Sequence, residues 1–187
     1  MKKTLLLLPL LLGMTTAVFA QTAPKVMVVD MTQLLQNYYK AQEDFTKFQS
    51  AVNAANETIA EMREDIQTVL EPVPDLRSKA ENSDGMFSED AAREAAEELS
   101  RISIDFQQRR DNLVQYQQTT QQTLSQREQQ IISLHMKQIR DIVSDYAQTQ
   151  GFDMVMNKAV GVVFSISSLD KTQDILDILN ADAPADS

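Results

Sequence analysis

From Tyr38 onward the apolar residues recur at alternating intervals of three and four: Tyr38, Ala41, Phe45, Phe48, Val52, Ala55, Ile59, Met62, Ile66 and Val69. A run this long on a seam of period 3.5 predicts a helix that winds left-handedly about a partner helix. Asp30 offers an N-cap at its start, with Gln33 at the spacing of a capping box. Glu71-Pro72-Val73-Pro74 interrupts the pattern, because each ring removes an amide donor and clashes with the preceding turn. Asn82-Ser83-Asp84-Gly85 is the better reversal, and Ser88 can cap a helix that returns. A tip near residues 83–87 gives arms of about 50 and 60 residues, each rising ~1.5 Å per residue. Residues 31–150 are therefore expected to form a helical hairpin, kinked at 72–74 and turning at Ser83–Phe87.

The returning helix is expected from about Ser88 to Gln150, with Gly151 as a left-handed stop. Its ends are apolar at helical spacing. Leu99, Ile102 and Phe106 lie near the tip, and Ile131, Leu134, Ile139, Ile142, Val143 and Tyr146 near the base. Between them, residues 107–130 contain ten Gln, and Leu113, Tyr116 and Leu124 are the main apolar members of the seam. So poor a seam packs weakly, and the arm is expected to bend or splay there.

Outside the hairpin the period falls to two. Lys25 to Asp30 is a β-branched run read as a strand buried on both faces. Phe152, Met154 and Met156 alternate with polar neighbours, as do Val162, Phe164 and Ile166 after Gly161, and these predict a β-hairpin. Asp170 with Gln173 repeats the capping spacing and opens a last helix carrying Ile175, Leu176, Ile178 and Leu179. The tail 181–187 is small, polar and expected to be disordered. The fold class is mostly α with a small β body (α+β), built from residues 21–30 and 151–180. Three short strands, 25–30, 152–157 and 162–166, are marginal as an isolated sheet and leave open edges. A symmetric oligomer closing these sheets on one another, with the arms projecting, resolves both problems. The body residues expected to meet in that oligomer are Val26, Val28, Val155, Val162, Phe164 and Ile166.

Composition narrows the function. Lys2 and Lys3, the apolar run Leu5 to Leu12 and Val18-Phe19-Ala20 form an export signal expected to be cleaved after Ala20. Its removal takes away two lysines and no acid, turning a net charge of −10 into −12. An acidic chain repels nucleic acid and anionic lipid, which argues against nucleic acid or lipopolysaccharide as main partner. The absence of Cys rules out disulfides, thiol chemistry and thiolate metal sites. His135 is the single histidine, on a helical base position, and is read as structural. With four glycines there is no phosphate-cradling loop, so no nucleotide, cofactor or metal is expected and no catalytic residue is assigned. Asn56-Glu57-Thr58 fits a glycosylation sequon inside the coiled coil and is read as a chance match.

Val28-Val29-Asp30-Met31 followed by Leu34-Leu35-Gln36-Asn37-Tyr38-Tyr39-Lys40 resembles the start of mature Skp (OmpH-like) chaperones. The stretch from Tyr146 through Gly151-Phe152-Asp153 to Val155 resembles the same family, as do Gly161-Val162-Val163-Phe164, Ser168-Leu169-Asp170-Lys171-Thr172 and Ile175-Leu176 with Leu179-Asn180. The resemblance implies a periplasmic homotrimer with a β-barrel body and three helical tentacles. Between the tentacles, unfolded outer-membrane proteins would be held without ATP. The arms of that family are strongly basic and these are acidic, so no lipopolysaccharide-binding residues are carried over. Candidate client contacts near the tip are Met86, Phe87, Leu99, Ile102, Ile104 and Phe106, since Ile104 faces away from Ile102 and Phe106. Met86 and Phe87 equally suit a small cap on the turn. A coiled-coil spacer with one fixed envelope partner is the alternative reading.

Overall fold

The computed structural model describes residues 23–81 and 85–184. The expected signal segment 1–20, positions 82–84 of the expected tip and the last three residues of the tail lie outside them. Strand β1 (Val26–Val29) leads into helix α1 (Met31–Asn37), then α2 (Tyr39–Leu70), α3 (Val73–Glu81) and α4 (Glu89–Thr149). Strand β2 (Met154–Asn157), a 3₁₀ turn at Ser167–Leu169 and helix α5 (Thr172–Leu179) complete the chain. Helices α2 and α3 both pack on α4, so the chain runs past the two prolines and returns beyond them as a long antiparallel arm.

Most of the buried side chains lie where the arm meets the body. Met27, Val29, Leu34, Tyr38, Ala41, Ile139, Val143, Ala147, Ile175 and Leu179 form one core contributed by β1, α1, α2, α4 and α5. Burying a Leu or Ile side chain such as Leu34, Ile139 or Ile175 stabilises by roughly 1.5–3 kcal/mol each. The three middle and last residues of β1 are buried on both faces, which is why its sequence is an unbroken apolar run.

Local chemistry sets the ends of the elements. Asp30 caps α1 by accepting from the amides of Thr32 (3.1 Å) and Gln33 (3.0 Å). Its own amide donates to Thr172 Oγ1 (2.9 Å), so the reciprocal bond of a capping box comes from α5 and not from Gln33. Ser88 Oγ accepts from the Ala91 amide and caps α4. At the other end Gly151 adopts φ 67°, the Phe152 amide donates to Ala147 O (2.9 Å) and the Gly151 amide to Gln148 O (3.2 Å). That pair of bonds is a Schellman motif, and Phe152 completes it by stacking on Tyr146, with ring centroids 6.4 Å apart. Pro72 stands immediately before α3 and Pro74 in its first turn, where their missing donors cost no helical bond.

Three features differ from the sequence expectation. The helix does not run unbroken from residue 31: Tyr38 is extended (φ −76°, ψ 116°) and separates α1 from α2. Its ring turns into the core, edge-on to Tyr39 and His135. The Asn180 side chain bridges the break, accepting from the Tyr39 amide (3.0 Å) and donating to Asn37 O (2.9 Å). The sheet, too, has two strands rather than three among the described residues, with β1 parallel to β2 and Val26 opposite Met154. Residues 162–166 form neither a strand nor the arm of a hairpin. After β2 the chain steps over β1 to its far edge, where Asp170 bridges Val28 and the Lys171 amide donates to Val28 O (2.9 Å). A segment making that crossing cannot also fold back along β2. Asp170, for its part, binds the Thr172 amide and hydroxyl instead of capping α5 through Gln173. Residues 181–182 form a turn, with bonds from the Ala181 and Ala183 amides to Ile178 O and Asn180 O.

Candidate functional site

The arm is pinned at its root by a buried polar contact. His135 on α4 is 2% exposed. Its Nε2 lies 3.0 Å from Asp44 Oδ2 on α2, and its Nδ1 3.1 Å from Gln138 Oε1. Burial pushes the Asp44 carboxyl up, but hydrogen bonds from His135 and Lys47 outweigh this and hold it below its ordinary range. With both ring nitrogens engaged inside the core, His135 presents no free base to a substrate. Farther out, Arg109 Nη1 reaches Asp65 Oδ2 across the arm (3.5 Å) while its Nε binds Asp105 (3.0 Å).

Beyond the root the arm buries little. Helix α4 has 61 residues, about 90 Å at 1.5 Å per residue. Of its five buried residues, His135, Ile139, Val143 and Ala147 belong to the root and only Ala95 to the remaining length. On α2, just Ala41 and Ala55 are buried. The nine seam residues on α2, Ala41 to Val69, are each buried or half-buried, and α2 packs on α4; Tyr38, the tenth, is buried at the break before it. On α4, the positions from Leu99 to Leu124 that continue the three–four spacing are half-buried at most, and they include Arg109 and Thr120. A two-helix arm of this kind has a thin apolar contact and a large exposed surface.

The second exposed surface belongs to the body. Met154, Val155 and Met156 on β2 are exposed, and among the described residues β2 has no strand partner on its outer edge. The crossing segment adds Val160, Val163, Phe164 and Ile166; Phe164 is 82% exposed and Val163 entirely so. So many exposed large apolar side chains within thirteen residues are unusual on a chain that stays alone, and an open strand edge offers main-chain pairing as well.

Of the expected body residues, the structure brings Val26, Val28 and Val155 together in the sheet, with Val26 half-buried and Val28 buried. Val162 is half-buried, Phe164 and Ile166 point to solvent, and none of the three joins a strand within the chain. Near the tip, Leu99, Ile102 and Phe106 are half-buried on the seam side of α4, whereas Ile104 is 67% exposed. Met86 is exposed beside the turn and Phe87 half-buried. These residues therefore do not form one patch. Sequence reasoning missed Arg109, although its position between Phe106 and Leu113 continues the seam spacing. Asn180 and Thr172 stand in the motifs that carry the resemblance, but the sequence gives them no role, because their partners are more than 140 positions away. Among the described residues, no group of three or more His, Cys, Asp or Glu is placed to hold a metal ion. None of their helices is long and apolar enough to cross a membrane.

The sequence profile of the family described as "Outer membrane protein (OmpH-like)" matches residues 25–179. No curated protein is detectably similar in sequence. Among solved structures, the chain is similar to a protein of Caulobacter crescentus whose assigned role, outer membrane chaperone (OmpH-like), is itself an inference. The TM-score is 0.67 at 14% identity, with 86% of each chain covered. At that identity the likeness speaks for the fold.

Proposed function

This chain belongs to the OmpH-like outer membrane protein family, and on that premise we propose that it is an exported, non-enzymatic holdase chaperone. It acts in the periplasm, where its arms hold unfolded outer-membrane proteins and keep them from aggregating, without ATP. The observation that carries this reading is the arm itself, a two-helix projection of roughly 65 Å, the rise of residues 39–81 along α4, that buries almost nothing beyond its root. Such a projection adds little to stability. Its contribution is surface, at low packing density, and a thin seam allows it to bend around occupants of different size.

The body supports self-association. The open edge of β2 and the apolar segment Val160–Ile166 would be covered by other copies of the chain, with Phe164 and Ile166 completing strands that a single chain does not form. Three copies, as the resemblance to Skp implies, would place three arms around one cavity. Binding the unfolded form of a client lowers its free concentration and so slows a concentration-dependent aggregation.

The test is aggregation of an outer-membrane barrel protein on dilution from urea, followed by light scattering. Protection at near-stoichiometric chaperone without nucleotide is expected. No protection at excess chaperone would remove the holdase reading, and a single dominant partner in crosslinked cells would favour the envelope spacer instead.

A further inference from the structure

We propose that the middle of the arm is the surface that grips an unfolded polypeptide, through an uncharged belt of side-chain amides on the exposed face of α4; this rests on the holdase reading above. Charge is distributed unevenly along the arm. Residues 57–105, its distal half, carry 14 acidic and five basic residues, a net −9 in a chain of net −10. Asn112–Gln126 on α4 and Phe48–Asn56 on α2 carry no charged residue at all. Both uncharged runs lie between the two cross-arm contacts, Arg109 with Asp65 and His135 with Asp44, so they occupy the same length of the arm.

The belt has a definite face. Val114, Gln118, Gln121, Ser125, Gln129 and Ile132 follow one another by three or four residues and span five helical turns, and all six are exposed. At its lower end Ile132 lines an open groove of about 750 Å³ with Leu35, Phe45 and Gln42, and Glu128 is the one charged residue on its wall. A glutamine side chain offers the same donor and acceptor as a peptide group. A row of them can therefore bond the backbone of an extended chain whatever its sequence. Val114, Ile132 and the groove accept apolar side chains at intervals, which suits the alternating apolar pattern of barrel strands. The occupant this fits is an extended segment of neutral or acidic polypeptide: it meets a net −9 along the distal half, whereas from Asn112 to Gln126 the belt carries no charge, and Arg127 offsets Glu128 below it.

Two triple variants of equal added charge test the assignment: Gln118→Glu/Gln121→Glu/Gln129→Glu on the belt, and Gln67→Glu/Ser78→Glu/Ala96→Glu on exposed faces of the distal arm. Each is titrated at low ionic strength with a fluorescently labelled, urea-unfolded outer-membrane barrel of net negative charge. Far-ultraviolet dichroism checks that the helices are intact. The belt variant is expected to bind about tenfold more weakly than the native chain, as like charges brought together cost affinity. The distal variant should stay within about twofold, because its charges face nothing that is gripped. Equal losses in the two variants, or undiminished binding by the belt variant, would overturn the belt and leave the holdase standing. If the native chain holds no client, both fall.

Discussion

Asn180 supplies, at the break between α1 and α2, the two backbone partners that a continuous helix would have provided. Its carboxamide accepts from the Tyr39 amide and donates to Asn37 O, so body and arm are joined by a side chain from the other end of the sequence. Asn180→Ala leaves both groups without that partner and is expected to cost roughly 1–3 kcal/mol in urea unfolding; a change below about 0.3 kcal/mol would mean that water replaces the clamp. Nothing local in the sequence announces this break, since Tyr38 continues the heptad seam and only its burial beside His135 shows why the helix yields. Asp170 holds a second long-range junction. The Lys158 ammonium (2.8 Å) chiefly, and then the Thr172 hydroxyl, pull its carboxyl down to about 2. A carboxyl depressed in the folded state stabilises above its unfolded value of about 3.9, and the contribution disappears as pH falls through the folded value. With the side chain 25% exposed, we expect about 1–2 kcal/mol to be lost between pH 4 and pH 2. Urea titrations over that range should show this slope, and Asp170→Asn should flatten it.

At the scale of elements, the arm was the most legible part of the sequence and the body the least. The three–four spacing of α2 needs only a neighbouring helix to be satisfied, and that neighbour is near in sequence, so pattern and packing agree. Val162, Phe164 and Ile166 carry an equally clear period of two and yet form no strand in the chain. A strand needs a ladder partner. Both edges of β1 are taken, one by β2 and the other by Asp170 and Lys171. Periodicity reports which faces are apolar but not which edges are free. The same limit explains the tip residues. Helical spacing turns Ile104 away from Ile102 and Phe106, and the structure leaves Ile104 to solvent while Leu99, Ile102 and Phe106 stay half-buried. The weak middle of the arm gives a prediction at this scale: amides of α4 between residues 111 and 130 should exchange with deuterium faster than those between 135 and 147. Uniform protection along α4 would show that the middle is as firmly packed as the root.

For the whole molecule, the body is an incomplete sheet whose missing cover is provided, on our account, by copies of itself. Val163→Asp/Phe164→Asp places two charges in that contact while touching no core residue. The substitution should release lone subunits in sedimentation velocity with helical dichroism unchanged, because charges at a buried interface cost several kcal/mol. An unchanged mass would move the contact elsewhere. Net charge enters here too. On the same account, a distal arm of net −9 would hold the arm ends of such an assembly apart at low salt.

Body, arm and client come together in one measurement, the mass of the complex formed when an unfolded outer-membrane barrel protein is diluted into the chaperone and sedimented without nucleotide. The account predicts a soluble species of three chains and one client. A lone subunit, sedimenting apart from a client that has aggregated, would contradict it.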